Sequence, residues 1–216
     1  MMYSLLVVGA GGLGRVVMSQ ALGDYGCGRE WYPVGFLDSR PPTIFPEQVA
    51  STIYGDPMTY APRPFELFLP AVGDPRLRQK FVESLVSRGA NVTGLRTRVT
   101  FGERCIIGNA TFGLDSSVGP DCSVGDFSFI DKSASIGHDV HIGKYAHIGV
   151  NVIVAGNVRI GDRAVVHSGA MIARGVTIGD DAEVGMGAVV FRDVPAGAMV
   201  LGNPARIIKS NMDVTP

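Results

Sequence analysis

From Val118 onward, every sixth residue is isoleucine or valine: Val118, Val124, Ile130, Ile136, Ile142, Ile148, Val154, Ile160, Val166, Ile172, Ile178, Val184 and Val190. Four positions after each stands a small residue or another valine, from Cys122, Ser128 and Ala134 through to Ala188 and Val194. The residue directly after the branched one is glycine in eight of the thirteen hexapeptides. A fixed period of six marks an internal repeat rather than a helix or an ordinary alternating strand. One hexapeptide makes one short strand and a corner, and three make a triangular coil. Coils stack at the parallel-strand spacing of about 4.8 Å. The branched residue points inward and stacks on its equivalents. The second inward position must be small, because three sides converge there. Glycine would supply backbone freedom near the corner. The pairs Ile106/Ala110 and Phe112/Ser116 extend the register toward the N-terminus.

Residues 1–98 follow a different pattern and form a separate α/β domain; residues 99–216 form the repeat domain with its tail. Leu5–Val8 is a short apolar run ending at Gly9, as in a buried strand, and residues 14–22 read as a helix. Val34–Leu37 reads as a second strand and Phe65–Val72 as a third. Residues 75–88 carry Leu77, Phe81, Leu85 and Val86 at helical spacing. Strand–helix–strand order implies a small parallel, Rossmann-like sheet with crossover helices. The proline-rich stretch 39–64 reads as loop and weak strand.

Composition narrows the function. Of the 216 residues 29 are glycine, about twice the usual share of about 7%. The aliphatic content argues against disorder, and no three-residue period suggests collagen. Net charge is −1 with no basic run, which disfavours a nucleic-acid partner. No stretch is long and apolar enough for a membrane span, and the N-terminus lacks a signal-peptide pattern. Three cysteines, Cys27, Cys105 and Cys122, with no CxxC spacing, fit a reduced cytoplasm. Cys122 falls on the inward series and reads as a buried small residue rather than a nucleophile.

Candidate chemistry clusters in two places. Gly9-x-Gly11-x-x-Gly14 follows a strand and opens a helix, and Asp38 ends the next strand, which meets the dinucleotide fingerprint. The domain is too short for two mononucleotide-binding halves, so one nucleotide suits it better than NAD. All four histidines, His138, His141, His147 and His167, lie in the repeat. His138 is the third residue of its hexapeptide, so it sits at a corner and points outward. Asp139 could hold one imidazole nitrogen and leave the other as a base. Gly156 lies one coil further at the same corner, leaving room beside His138 for a substrate.

The marks Gly9-Ala10-Gly11-Gly12-Leu13-Gly14, Gly35-Phe36-Leu37-Asp38, Val72-Gly73-Asp74-Pro75-Arg76-Leu77-Arg78, Ile136-Gly137-His138-Asp139 and Gly202-Asn203-Pro204-Ala205-Arg206 come in this order. In that order the chain resembles the bacterial sugar acetyltransferases of the sialic-acid O-acetyltransferase and nucleotide-aminosugar N-acetyltransferase family. The resemblance implies that the repeat is a left-handed parallel β-helix. It implies acetyl-CoA as donor, no metal, and transfer to a nucleotide-linked sugar in surface-glycan biosynthesis by a homotrimer. His138 matches the general base and Asp139 the acid that orients it. His147 matches a second histidine near the thioester, and Gly156 a backbone amide on its carbonyl. Ser168, Gly185, Gly202, Asn203 and Pro204 are the implied CoA contacts. Gly11, Gly12, Leu13, Gly14, Asp38, Ser39, Gly73 and Asp74 are the implied acceptor contacts. The family often has His or Ser at Leu13 and a second acid at Ser39, so the acceptor contacts differ here. Amine and hydroxyl acceptors both remain open. A γ-type carbonic anhydrase does not fit, because the four histidines lack its zinc-ligand spacing. A non-catalytic β-helix scaffold would have no use for His138, Asp139 and Gly156 together.

Overall fold

The computed structural model describes residues 2–209, which divide into two compact units with the boundary between Thr97 and Arg98. The first unit is a five-stranded parallel sheet in the order β3-β2-β1-β4-β5. Its strands are β1 (Tyr3–Val8), β2 (Trp31–Leu37), β3 (Ile53–Gly55), β4 (Glu66–Pro70) and β5 (Asn91–Val92). Its helices are α1 (Gly12–Leu22), the single turn α2 (Glu47–Ala50) and α3 (Pro75–Val86). β1 and β4 are buried continuously toward their C-terminal ends, as strands covered on both faces must be. The strand β2 begins earlier than the apolar run Val34–Leu37 suggests and carries Pro33 inside it. Proline is tolerated there because β3 pairs only with Phe36 and Leu37, which leaves Pro33 on an edge. β3 is the weak strand of the proline-rich stretch, whereas β5 has two residues and shows no strand pattern in the sequence.

The sheet order reverses between β1 and β4. Chains leaving their C-terminal ends diverge and open a crevice, the usual ligand position in such sheets. Two glycines keep that crevice tight. Gly9 has φ +107°, a left-handed conformation that costs other residues energy. A Cβ on Gly14 would stand 1.8 Å from the Gly9 carbonyl oxygen, so α1 can pack on the end of β1 only with glycine there.

The second unit is a three-faced parallel β-helix of two-residue strands. The first face stacks six strands, among them Ser135–Ile136, Ile153–Val154 and Met171–Ile172; the second stacks five, including His141–Ile142. The third stacks strands including Phe129–Ile130, His147–Ile148 and Glu183–Val184, and ends in the antiparallel strand Arg206–Lys209. All thirteen branched residues of the sixfold series are buried in one core with the small series between them. Polar members of the small series have partners: Ser128 Oγ donates to the Gly143 carbonyl at 2.6 Å, and Cys122 Sγ to that of Gly137 at 3.0 Å.

Three expectations change. Ile106 points outward, 76% exposed, and Ile107 takes the inward place opposite Val124. One side of the first coil is a residue short, because Phe112 follows Ile107 after five positions. At the other end Val194 bridges to Ile178 only four residues after Val190, so it fills a branched rather than a small position. The eight repeat glycines do not supply left-handed backbone. That conformation falls two residues later, at Asp115, Asp121, Phe127, Ser133, Asp139, Tyr145, Asn151, Asn157, Arg163 and Asp181. Asp and Asn tolerate it better than most residues. The glycines serve close approach instead: a Cβ on Gly119 would lie 2.7 Å from the Gly137 carbonyl carbon of the next coil.

Candidate active site

The His138 corner lies between the first and second faces and is tied above and below. Asp139 N–H donates to the Pro120 carbonyl at 3.0 Å, and Asn157 N–H donates to the His138 carbonyl at 2.9 Å. The imidazole Nδ1 lies 2.6 Å from Asp139 Oδ2, with both side chains half exposed. A protonated Nδ1 donating to the carboxylate leaves Nε2 with a lone pair, the arrangement a general base needs. Asp139 reaches this position because its own backbone is left-handed, φ 55°.

Gly156 stands directly against Nε2. A Cβ built on it would come within 2.5 Å of that nitrogen. The space at Gly156 is therefore taken up by the imidazole itself, which corrects the expectation of room for a substrate. Gly156 N–H donates to no acceptor among the described residues, so it is open to a ligand beside Nε2.

Other site candidates fall elsewhere on the prism. His147 is on the third face, its ring stacked on Phe129 with centroids 5.4 Å apart. Ser168 occupies a corner between the third and first faces, bonded through its carbonyl to Gly187 N–H at 3.0 Å. Gly185 approaches Leu201 of the next coil so closely that a Cβ would meet its Cδ1 at 2.5 Å. Gly202, Asn203 and Pro204 run from that edge over the first face, with the Gly202 carbonyl accepting from Val189 N–H and Ala205 N–H donating to the Val189 carbonyl. One chain thus carries two separate candidate edges. Sequence reasoning missed two arginines on the His138 edge. Arg174 and Arg192 follow Gly156 at the same corner of successive coils, and neither guanidinium has a partner among the described residues. Their eighteen-residue spacing from Gly156 was the available signal. A cavity of about 400 Å³ lined by Phe191, Arg192, Pro204 and Arg206 ends that edge.

In the first unit a cavity of about 320 Å³ opens where the sheet order reverses. Gly11, Gly12, Leu13, Asp38, Ser39 and Gly73 all line it, together with Arg40, Val72 and Phe81. Gly14 is beneath the loop, and Asp74 caps α3 by accepting from Arg76 and Leu77 N–H at 2.8 and 3.0 Å. Asp38 is buried. Burial pushes its carboxyl up, but hydrogen bonds from Arg40 and the Ala10 backbone outweigh this and hold it below the ordinary carboxylate range.

Residues 121–156, 139–174 and 157–192 match the bacterial transferase hexapeptide family in six-repeat windows, and residues 4–85 match the PglD N-terminal domain. The two matches cover both units. The chain carries the two modules of a hexapeptide-repeat sugar acetyltransferase. Perosamine N-acetyltransferase from Caulobacter crescentus, solved as a histidine-to-asparagine mutant with CoA and GDP-perosamine, is similar to this transferase. It is 27% identical, with 97% of this chain and 99% of that chain covered and a TM-score of 0.84. The acetyltransferase domain of PglB from Neisseria gonorrhoeae, in complex with acetyl coenzyme A, is 28% identical. It covers 96% of this chain and 100% of its own, with a TM-score of 0.81. WeeI from Acinetobacter baumannii shares the fold at 22% identity, 96% and 100% coverage and a TM-score of 0.67. A comparison with curated proteins finds no match. No helix among the described residues is long and apolar enough to cross a membrane.

Proposed function

We propose that this transferase moves an acetyl group from acetyl-CoA to the amino group of a nucleotide-linked sugar, with His138 as general base. The observation that carries the reading is the His138–Asp139 pair with Nε2 set against the open amide of Gly156. The CoA and GDP-perosamine bound to the Caulobacter relative support the two substrate classes. The acceptor amine attacks the thioester carbon while His138 Nε2 takes its proton. Asp139 stabilises the imidazolium that results. The carbonyl oxygen becomes an oxyanion and receives the Gly156 N–H, a donor already in place before charge develops. Collapse of the intermediate breaks the C–S bond, and the CoA thiolate takes the proton back from His138. No residue is acylated.

The donor lies along the His138 edge in this reading. Arg192 is three coils from His138, about 14 Å at the parallel-strand spacing. Arg174 and Arg192 then meet the phosphates of CoA while the thioester rests at Gly156. His147, Ser168 and Gly185 lie on the third face and its far edge, so they serve the donor only from a second copy, whereas Pro204 lines the cavity beside Arg192 on the same copy. A homotrimer, with each donor between two subunits, brings the two edges together. The free cysteines fit a reducing, cytoplasmic setting.

The test is release of CoA thiol from acetyl-CoA with GDP-, UDP-, dTDP- and CMP-linked amino sugars. At least one should give turnover that His138→Ala lowers by about 10²–10⁴-fold. Release with none of them overturns the reading.

A further inference from the structure

The acid that follows β2, Asp38, has no capacity left for a ligand. Asp38 Oδ1 accepts from Arg40 N–H at 3.0 Å and Arg40 Nε at 2.9 Å. Asp38 Oδ2 accepts from Ala10 N–H at 2.7 Å and Arg40 Nη2 at 2.8 Å. A carboxylate offers about four lone-pair sites, and all are filled. The usual task of this acid, accepting ribose hydroxyls, is therefore not open to Asp38. The cavity presents Arg40 instead. Arg40 is half exposed, and it is the one cation among the described residues lining the cavity. Its guanidinium lies over the Phe45 ring at 4.9 Å, and its Nη2 would be 3.2 Å from a Cβ on Gly11. The fork is thus held against the glycine loop from both sides, while Nη1 has no acceptor among the described residues. Beside it, α1 begins at Gly12 after the N-cap Gly11, with no side-chain cap and no acid in its first turn.

We infer that Arg40 is a specificity-determining residue that binds the diphosphate of the nucleotide-linked acceptor, and that Asp38 is the positioning residue that aims it. The remaining Nη1–Nη2 edge of a fixed guanidinium matches phosphate oxygens, and the backbone N–H groups of Gly12 and Leu13 complete the cradle. Ser39 removes a second negative charge that would oppose this. The inference rests on the nucleotide-sugar reading and adds which part of the acceptor is recognised.

Binding to GDP, UDP, dTDP and the corresponding nucleosides is measured by calorimetry on the full chain. The wild type should bind its preferred diphosphate at least about tenfold more tightly than the nucleoside. Arg40→Ala should erase that difference, and Arg40→Lys should keep part of it. Asp38→Asn should erase it too, with the double variant no weaker than either single one. In turnover, Arg40→Ala should raise KM for the nucleotide sugar and leave KM for acetyl-CoA unchanged. An Arg40→Ala protein that keeps wild-type preference for the diphosphate overturns the inference. So does an Asp38→Asn protein that loses nucleoside and diphosphate binding equally, since Asp38 would then bind ribose. A wild type that binds none of the diphosphates removes the nucleotide-sugar reading itself, and this inference with it.

Discussion

The two units hold their candidate residues by different physics. In the β-helix each corner is bonded to the coil before and the coil after, so His138 is placed by register. Its neighbours in space are eighteen residues away in sequence, and the same device recurs along the prism. In the first unit nothing repeats. The cavity is made by loops after β1, β2 and β4, and one buried carboxylate with four donors holds two of them together. A repeat tolerates local change at its surface and resists it inside. A cavity built once depends on single contacts.

Removing the proposed base probes the first side of this contrast most strongly. His138→Ala should cost about 10²–10⁴-fold in kcat while the melting temperature stays close to wild type, because the side chain is half exposed. Steady-state kinetics beside a thermal melt would check it, and a large loss of stability would mean the corner is structural.

Core truncation should do the reverse. Ile148→Ala, at a fully buried position, should cost about 2–5 kcal/mol in denaturant unfolding, whereas Ile106→Ala should change stability by less than about 0.5 kcal/mol. Equal effects would contradict the shortened first coil.

Gly156→Ala should act between these. Its Cβ collides with the His138 ring, which can swing outward, so kcat should fall while stability changes little. Gly119→Ala collides with backbone, which cannot move aside, so there the loss should appear in stability. Melts and kinetics of the pair would separate the two roles of glycine.

The smallest expected effect concerns Asp131, whose carboxyl is pushed up by burial against one hydrogen bond from Lys132 N–H. A carboxyl with a raised folded pKa favours folding while protonated and loses that advantage as pH rises through the unfolded and then the folded value. Asp131→Asn should therefore melt slightly higher than wild type at neutral pH. The gap should close as pH falls below the ordinary carboxylate pKa of about 3.9. A gap independent of pH would show that burial of the charge is not the cause.

Much of the β-helix was legible beforehand, because a period of six leaves an inward residue at every turn. Where the period broke, the reading broke with it. Nothing in the run Ile106-Ile107 says which isoleucine points inward; the pairing with Val124 decides that. The repeat glycines were visible, but their reason was not. A sequence shows that a side chain is missing, while only the stacked coils show the backbone that would strike it. In the first unit the glycine loop and Asp38 were readable as motifs. Arg40 was not, because a charged residue two positions past a strand looks like any other loop residue.

The sequence by itself determined the two-part architecture, the inward and outward positions of most coils, and the pairing of His138 with Asp139, because these follow from periodicity and adjacency. Tertiary structure decided what those residues face. It set Nε2 on Gly156, separated the two candidate edges of the prism, and filled every acceptor site of Asp38. Those outcomes depend on which backbone and side-chain atoms approach across coils and loops, and no local pattern encodes such distances.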